Sequence, residues 1–118
     1  MFNKLNLAEF LYSDDIAEAC WNVMNLSEEQ FKPLLASNRN DGLPPFNVGY
    51  GEEVSVKELA ETVGYKGTLQ FDTTKLDGTM RKLMDSGSLN TLGWFARTDL
   101  LRGLQLSYQN YLTIRDAK

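Results

Sequence analysis

Lys75, Arg81 and Lys82 stand close together in the run KLDGTMRKLMD at positions 75–85, around the acid–glycine pair Asp77-Gly78. Asp77 can initiate a turn through its own side chain, and Gly78 tolerates positive φ. The apolar pair Leu83-Met84 follows the basic residues. A cationic loop ending in an apolar anchor is one way to hold an anionic ligand. The same composition also fits a solvated surface loop, and the run alone does not decide between the two.

No other stretch offers catalytic chemistry. The chain has no histidine, so the commonest general base and metal ligand is missing. A single cysteine, Cys20, cannot build a zinc site, and no GxxxxGK[ST] phosphate loop occurs. None of the five tyrosines has a lysine four residues on, the pairing used by short-chain dehydrogenases. Asp14 and Asp15, like Glu52 and Glu53, read as residues at or before helix starts rather than as paired catalytic carboxylates. Gly49-Tyr50-Gly51 superficially matches a dinucleotide fingerprint, but Val54 takes the place of the third glycine. It reads as a plain strand-to-helix turn. The sequence therefore predicts no catalytic residue, no cofactor site and no metal site.

The elements that must position the loop follow from periodicity. Ile16, Ala19, Cys20, Val23 and Met24 recur at the spacing of one buried helix face, with Asp15 and Glu18 as a capping box. That stripe predicts a core Cys20, and it leaves Trp21 off the stripe on a second or exposed surface. Residues 9–12 fit a short strand or extended lead into this helix. Residues 27–45 read as a long polar connection and a mobile insertion. Short strands are expected at 46–48 and 69–71. Ser55 and Glu58 form a capping box for a second helix with Val56, Leu59, Ala60 and Val63 on its apolar face, closed by Gly64. A helical turn at 88–92 closes at Gly93. Thr98 is the expected cap of a last helix whose face is Leu101, Leu104, Tyr108, Tyr111 and Leu112. The pattern predicts a small α/β domain, α+β-like, with short strands and three main helices.

The chain has 118 residues, enough for a single domain over 1–118. With 12 basic against 16 acidic residues the net charge is −4, which argues against a nucleic-acid partner and makes any phosphate site a local one. One cysteine excludes an internal disulfide, and no apolar run approaches the length of a membrane span. A cytoplasmic protein without a membrane partner is the expectation.

Five strings, taken in order, resemble GDP-L-fucose synthases of the extended short-chain dehydrogenase/reductase group. EFLYSDDIAEA is similar to R-E-F-L-x-x-D-D-x-A, and FNVGYGEEVSVKELAE to N-V-G-x-G-x-x-x-S-I-x-E-L-A. GYKGTLQFD, then KLDGTMRKLMD against K-P-D-G-T-P-R-K-L-x-D, then LGW follow at nearly the family's spacing. The resemblance is to the C-terminal, substrate-binding part. It implies a family activity that converts GDP-4-keto-6-deoxymannose to GDP-L-fucose by epimerisation and NADPH-dependent reduction. The Rossmann half, with its cofactor fingerprint, its Tyr-x-x-x-Lys pair and the epimerising Cys and His, has no counterpart in these residues.

Carried across residue by residue, the resemblance implies that Asp77 contacts the substrate nucleotide and that Lys82 lies near the diphosphate, with Arg81 beside it and Lys75 leading in. Ala8 stands where the family has an arginine implied to grip the phosphates. Leu76 and Met80 replace prolines, and about four residues are lacking between Thr62 and Gly64, close to one helical turn. Two expectations follow. The chain is a weak GDP-sugar binder, catalytically incomplete alone, that works with a separate Rossmann-domain chain; or it is a non-catalytic remnant or interaction module from a truncated gene. Apolar surface around Phe10 and Trp21 predicts weak self-association.

Overall fold

Three very short strands form a mixed sheet, and the first of them is its centre. In this computed structural model residues 6–37, 46–72, 74 and 79–117 are described. The strands are β1 (Leu7–Glu9), β2 (Glu53–Ser55) and β3 (Arg81–Lys82), in the spatial order β2-β1-β3. β1 pairs antiparallel with β2, Leu7 opposite Ser55 and Glu9 opposite Glu53. It pairs parallel with β3, Leu7 beside Arg81 and Ala8 beside Lys82. Five helices complete the described chain: α1 (Ser13–Met24), α2 (Glu28–Ser37), α3 (Val56–Thr62), α4 (Gly87–Thr91) and α5 (Leu100–Asp116). The predicted α/β class holds, with α2 added to the expected helices.

The first helix is turned relative to its apolar stripe. Its N-cap is Tyr12, without a side-chain cap bond, which puts Asp15 inside the first turn. Asp15 is only 5% exposed. Its carboxylate accepts from the Thr98 backbone N–H at 2.9 Å and from the Thr98 hydroxyl at 3.1 Å. A buried carboxylate is tolerated when donors surround it, and the positive end of a helix adds to that. So no Asp15–Glu18 capping box forms; Glu18 instead pairs with Arg97 at 3.4 Å. Burial follows Asp15 and Ala19, whereas Ile16, Met24 and Cys20 are exposed. The expectation of a core Cys20 is thereby overturned.

The same contact moves the cap of α5. Thr98 is spent on Asp15, and Asp99 is the N-cap, its side chain accepting from the Arg102 N–H at 2.8 Å. Gly103 on α5 is buried, and a Cβ there would lie 3.6 Å from Tyr12, so the two segments approach closely. The predicted face of α5 is largely uncovered, with Leu101, Tyr108 and Tyr111 exposed.

The segment expected to be a mobile insertion begins as a helix. Ser27 and Gln30 form a reciprocal capping pair: the Gln30 N–H donates to the Ser27 hydroxyl at 3.3 Å, and the Ser27 N–H donates to the Gln30 side-chain oxygen at 3.0 Å. Residues 38–45 of that segment lie outside the described residues. The strands expected at 46–48 and 69–71 are not formed; these residues are irregular. Phe46 and Val48 pack instead on the small core of Ala19, Leu89 and Trp94.

Two local expectations hold in full. Ser55 and Glu58 make the capping box of α3, and this bonding pulls the Glu58 carboxyl below its ordinary range. Gly64 (φ 81°) and Gly93 (φ 86°) end α3 and α4 in left-handed conformations. In each case the next residue donates back into the helix, Tyr65 to Ala60 and Trp94 to Leu89.

Replacing Asp15 by alanine leaves the Thr98 N–H without its acceptor at the junction of α1 and α5. Loss of a charged hydrogen-bond partner is expected to cost about 1.5–3 kcal/mol, read as a lower urea midpoint with unchanged slope.

Candidate functional site

Side chains alternate across a sheet, so the strand register sorts the candidate residues onto two faces. Leu7, Glu9, Glu53, Ser55 and Arg81 share one; Ala8, Val54 and Lys82 share the other. Arg81 and Lys82, adjacent in sequence, are therefore not brought together. Lys75 and Asp77 lie outside the described residues.

Arg81 has a partner across the central strand. Its Nε donates to the Glu53 carboxylate at 2.8 Å, the guanidinium reaching over β1 from β3 to β2. Glu53 holds the Arg81 guanidinium above its ordinary value, by this hydrogen bond first and by charge second. Glu53 was read from sequence as a helix-start acid; its position inside a strand makes it a sheet residue. Glu9 stands directly opposite Glu53. Two like charges in that position repel, and each is relieved by a donor: Glu53 by Arg81, Glu9 by backbone.

The Glu9 carboxylate accepts from the Gly51 N–H at 2.6 Å and from the Met84 N–H at 2.9 Å. Gly49 lies against the same carboxylate so closely that a Cβ there would collide with it, and Gly51 is left-handed at φ 92°. The Gly49-Tyr50-Gly51 turn thus wraps an anion, but the anion is the chain's own side chain. A hollow of about 470 Å³ opens beside it, lined by Tyr50, Asp85, Asn90 and Phe95 among others. Burial first, and then the charges of Glu52, Asp99 and Asp15, push the Tyr50 phenol above its ordinary value. It is poorly placed to act as a base.

On the opposite face, Lys82 sits in register with Ala8. Lys82 is exposed there, next to a small side chain on the central strand. A point charge with three donors suits a phosphate oxygen. No group of His, Cys, Asp and Glu able to hold a metal ion occurs among the described residues, and none of their helices is long and apolar enough to cross a membrane.

Comparison with known proteins gives a consistent picture. No family profile matches the chain. It is 46% identical over 110 residues to a putative GDP-L-fucose synthase 2 of Arabidopsis thaliana, covering 90% of this chain and 30% of that protein. It is 41% identical over 114 residues to the GDP-L-fucose synthase of Escherichia coli K12, covering 93% and 34%. Among solved structures, a GDP-6-OMe-4-keto-L-xylo-heptose reductase from C. jejuni superposes with a TM-score of 0.76 at 32% identity, over 95% of this chain and 32% of that one. The chain is related to the C-terminal part of GDP-L-fucose synthases. It spans about a third of the length of these relatives.

The sequence reading found α1, α3, α4, α5 and the glycine turns but missed α2 and the role of Glu9. The signal was an acid in an otherwise apolar run, Leu7-Ala8-Glu9-Phe10-Leu11, where it ends the strand. Only the fold shows that its donors come from two distant segments.

Replacing Arg81 by alanine leaves the Glu53 carboxylate, whose side chain is only 11% exposed, without its donor and facing Glu9. The expected cost is about 1.5–3 kcal/mol, read as a lower urea midpoint that salt restores only in part; a loss within a few tenths of a kcal/mol would mean that Glu53 does not depend on Arg81.

Proposed function

We propose that this chain is a GDP-sugar-binding piece whose anion contact is Lys82 on the Ala8 face of the sheet. One observation carries the reading: the register sets Lys82 directly beside Ala8. Ala8 stands where the resemblance implies a phosphate-gripping arginine. Two cations at these neighbouring positions would bracket a diphosphate, and this chain keeps one of them. The resemblance adds Lys75 and Asp77, earlier in the sequence, as a further cation and an acceptor for ribose hydroxyls. Arg81 supports the sheet through Glu53 rather than touching ligand.

With one cation in place of two, the affinity is low. A charged hydrogen bond contributes about 1.5–3 kcal/mol, which is roughly ten- to a hundredfold in binding. None of the described residues is suited to hydride transfer, so in this reading turnover draws on a cofactor-binding unit.

Titration of the chain with GDP and GDP-mannose, followed by amide shifts, is expected to give millimolar-range binding that Lys82→Ala abolishes. Ala8→Arg is expected to tighten it roughly ten- to a hundredfold. An Ala8→Arg variant that folds but binds no better would refute the placement of the diphosphate on this face.

A second reading, an interaction module, has its own observation. The radius of gyration is 18.0 Å, against about 13–14 Å for a compact domain of this length. Trp21 is 67% exposed and Phe10 43%. Such side chains call for cover, either by a cofactor-binding chain or by weak self-association. Sedimentation at rising concentration is expected to show reversible dimers that Trp21→Ser weakens; a monomer at every concentration counts against self-association.

A further inference from the structure

Lys82 is carried on a strand of two residues, and a strand that short has little rigidity of its own. It is held before and after by hydrogen bonds to β1. Ahead of it, the Leu7 N–H donates to the Met80 carbonyl at 3.0 Å. Beyond it, the Met84 N–H donates to the Glu9 carboxylate at 2.9 Å. The second hold is a side chain reaching from the last residue of β1, and the same carboxylate takes the Gly51 N–H at 2.6 Å. Turn and strand are thereby fastened to one group.

We infer that Glu9 is a positioning residue for Lys82: it fixes the ammonium for a diphosphate by clamping the Met84 N–H on the reverse side of the sheet. The inference rests on the GDP-sugar reading of the Lys82 face. Geometry and charge make opposite demands here. A carboxylate near an anion site repels the ligand, so a purely electrostatic role predicts that removing Glu9 tightens binding. A positioning role predicts that removing it loosens binding, because the short strand that carries the lysine then shifts against β1.

The sign of the change is therefore the test. The full chain is titrated with GDP, with amide exchange at Gly51 and Met84 measured in parallel. Glu9→Ala is expected to weaken GDP binding about two- to tenfold, the worth of one hydrogen bond, and to speed exchange at both amides. Glu9→Gln, with a single carbonyl oxygen to offer, is expected to restore part of the affinity and protection at one of the two amides. If Glu9→Ala does not fold, the Gln variant carries the comparison. Asp99→Ala lowers stability at the start of α5 and is expected to leave GDP affinity unchanged.

Equal or tighter GDP binding by folded Glu9→Ala overturns the positioning role while leaving the Lys82 site standing. An equal loss in Asp99→Ala also overturns it, since general loosening then explains both. A wild-type chain silent to GDP at millimolar concentration removes the ligand reading itself and this role with it.

Discussion

One buried carboxylate settles how the helices meet. Asp15, near the start of α1, takes both the N–H and the hydroxyl of Thr98 just ahead of α5. Burying a charge without donors would be prohibitive, so the position of Thr98 is fixed by the need to supply them. With Asp15 turned inward, Ala19 follows it into the core and Cys20 is carried outward. With Thr98 committed, the capping of α5 passes to Asp99. A hydrophobic core as small as Ala19, Leu89 and Trp94 exerts little orienting force of its own. Polar contacts between distant segments take over that task.

This explains which features were legible in the sequence. Capping boxes and C-terminal glycines act within a few residues, and Ser55–Glu58, Gly64 and Gly93 behave as their spacing demands. The Ser27–Gln30 pair obeys the same rule; it was hidden by its polar surroundings and by Pro33 within the helix. Periodicity failed at α1 because it ranks residues by apolarity, and the residue that sets the phase is an aspartate. It failed again at 69–71, where an alternating run has no partner strand among the described residues. A strand exists only as one side of a ladder, so no single segment can announce it. The three strands that do form are as short as two or three residues, below the length at which alternation carries information.

The candidate site shows the same division. The cluster of Lys75, Asp77, Arg81 and Lys82 was visible as composition, yet period-two alternation necessarily splits Arg81 from Lys82. Pairing with Glu53 gives Arg81 a structural part, and the register gives Lys82 the company of Ala8. Against a net charge of −4, an ammonium on an exposed face gains an anion only through short-range contact, since the long-range field works against an anion.

Gly49 and Glu9 also constrain one another in evolution. The carboxylate occupies the space that a Cβ at position 49 would need, so a side chain in that turn and the present position of the acid exclude one another. A side chain at 49 requires the end of the acid to swing aside, shorten or leave, and each of these withdraws it from Gly51 and Met84. Any descendant of this chain with something larger than glycine in that turn must therefore have found another way to moor its third strand.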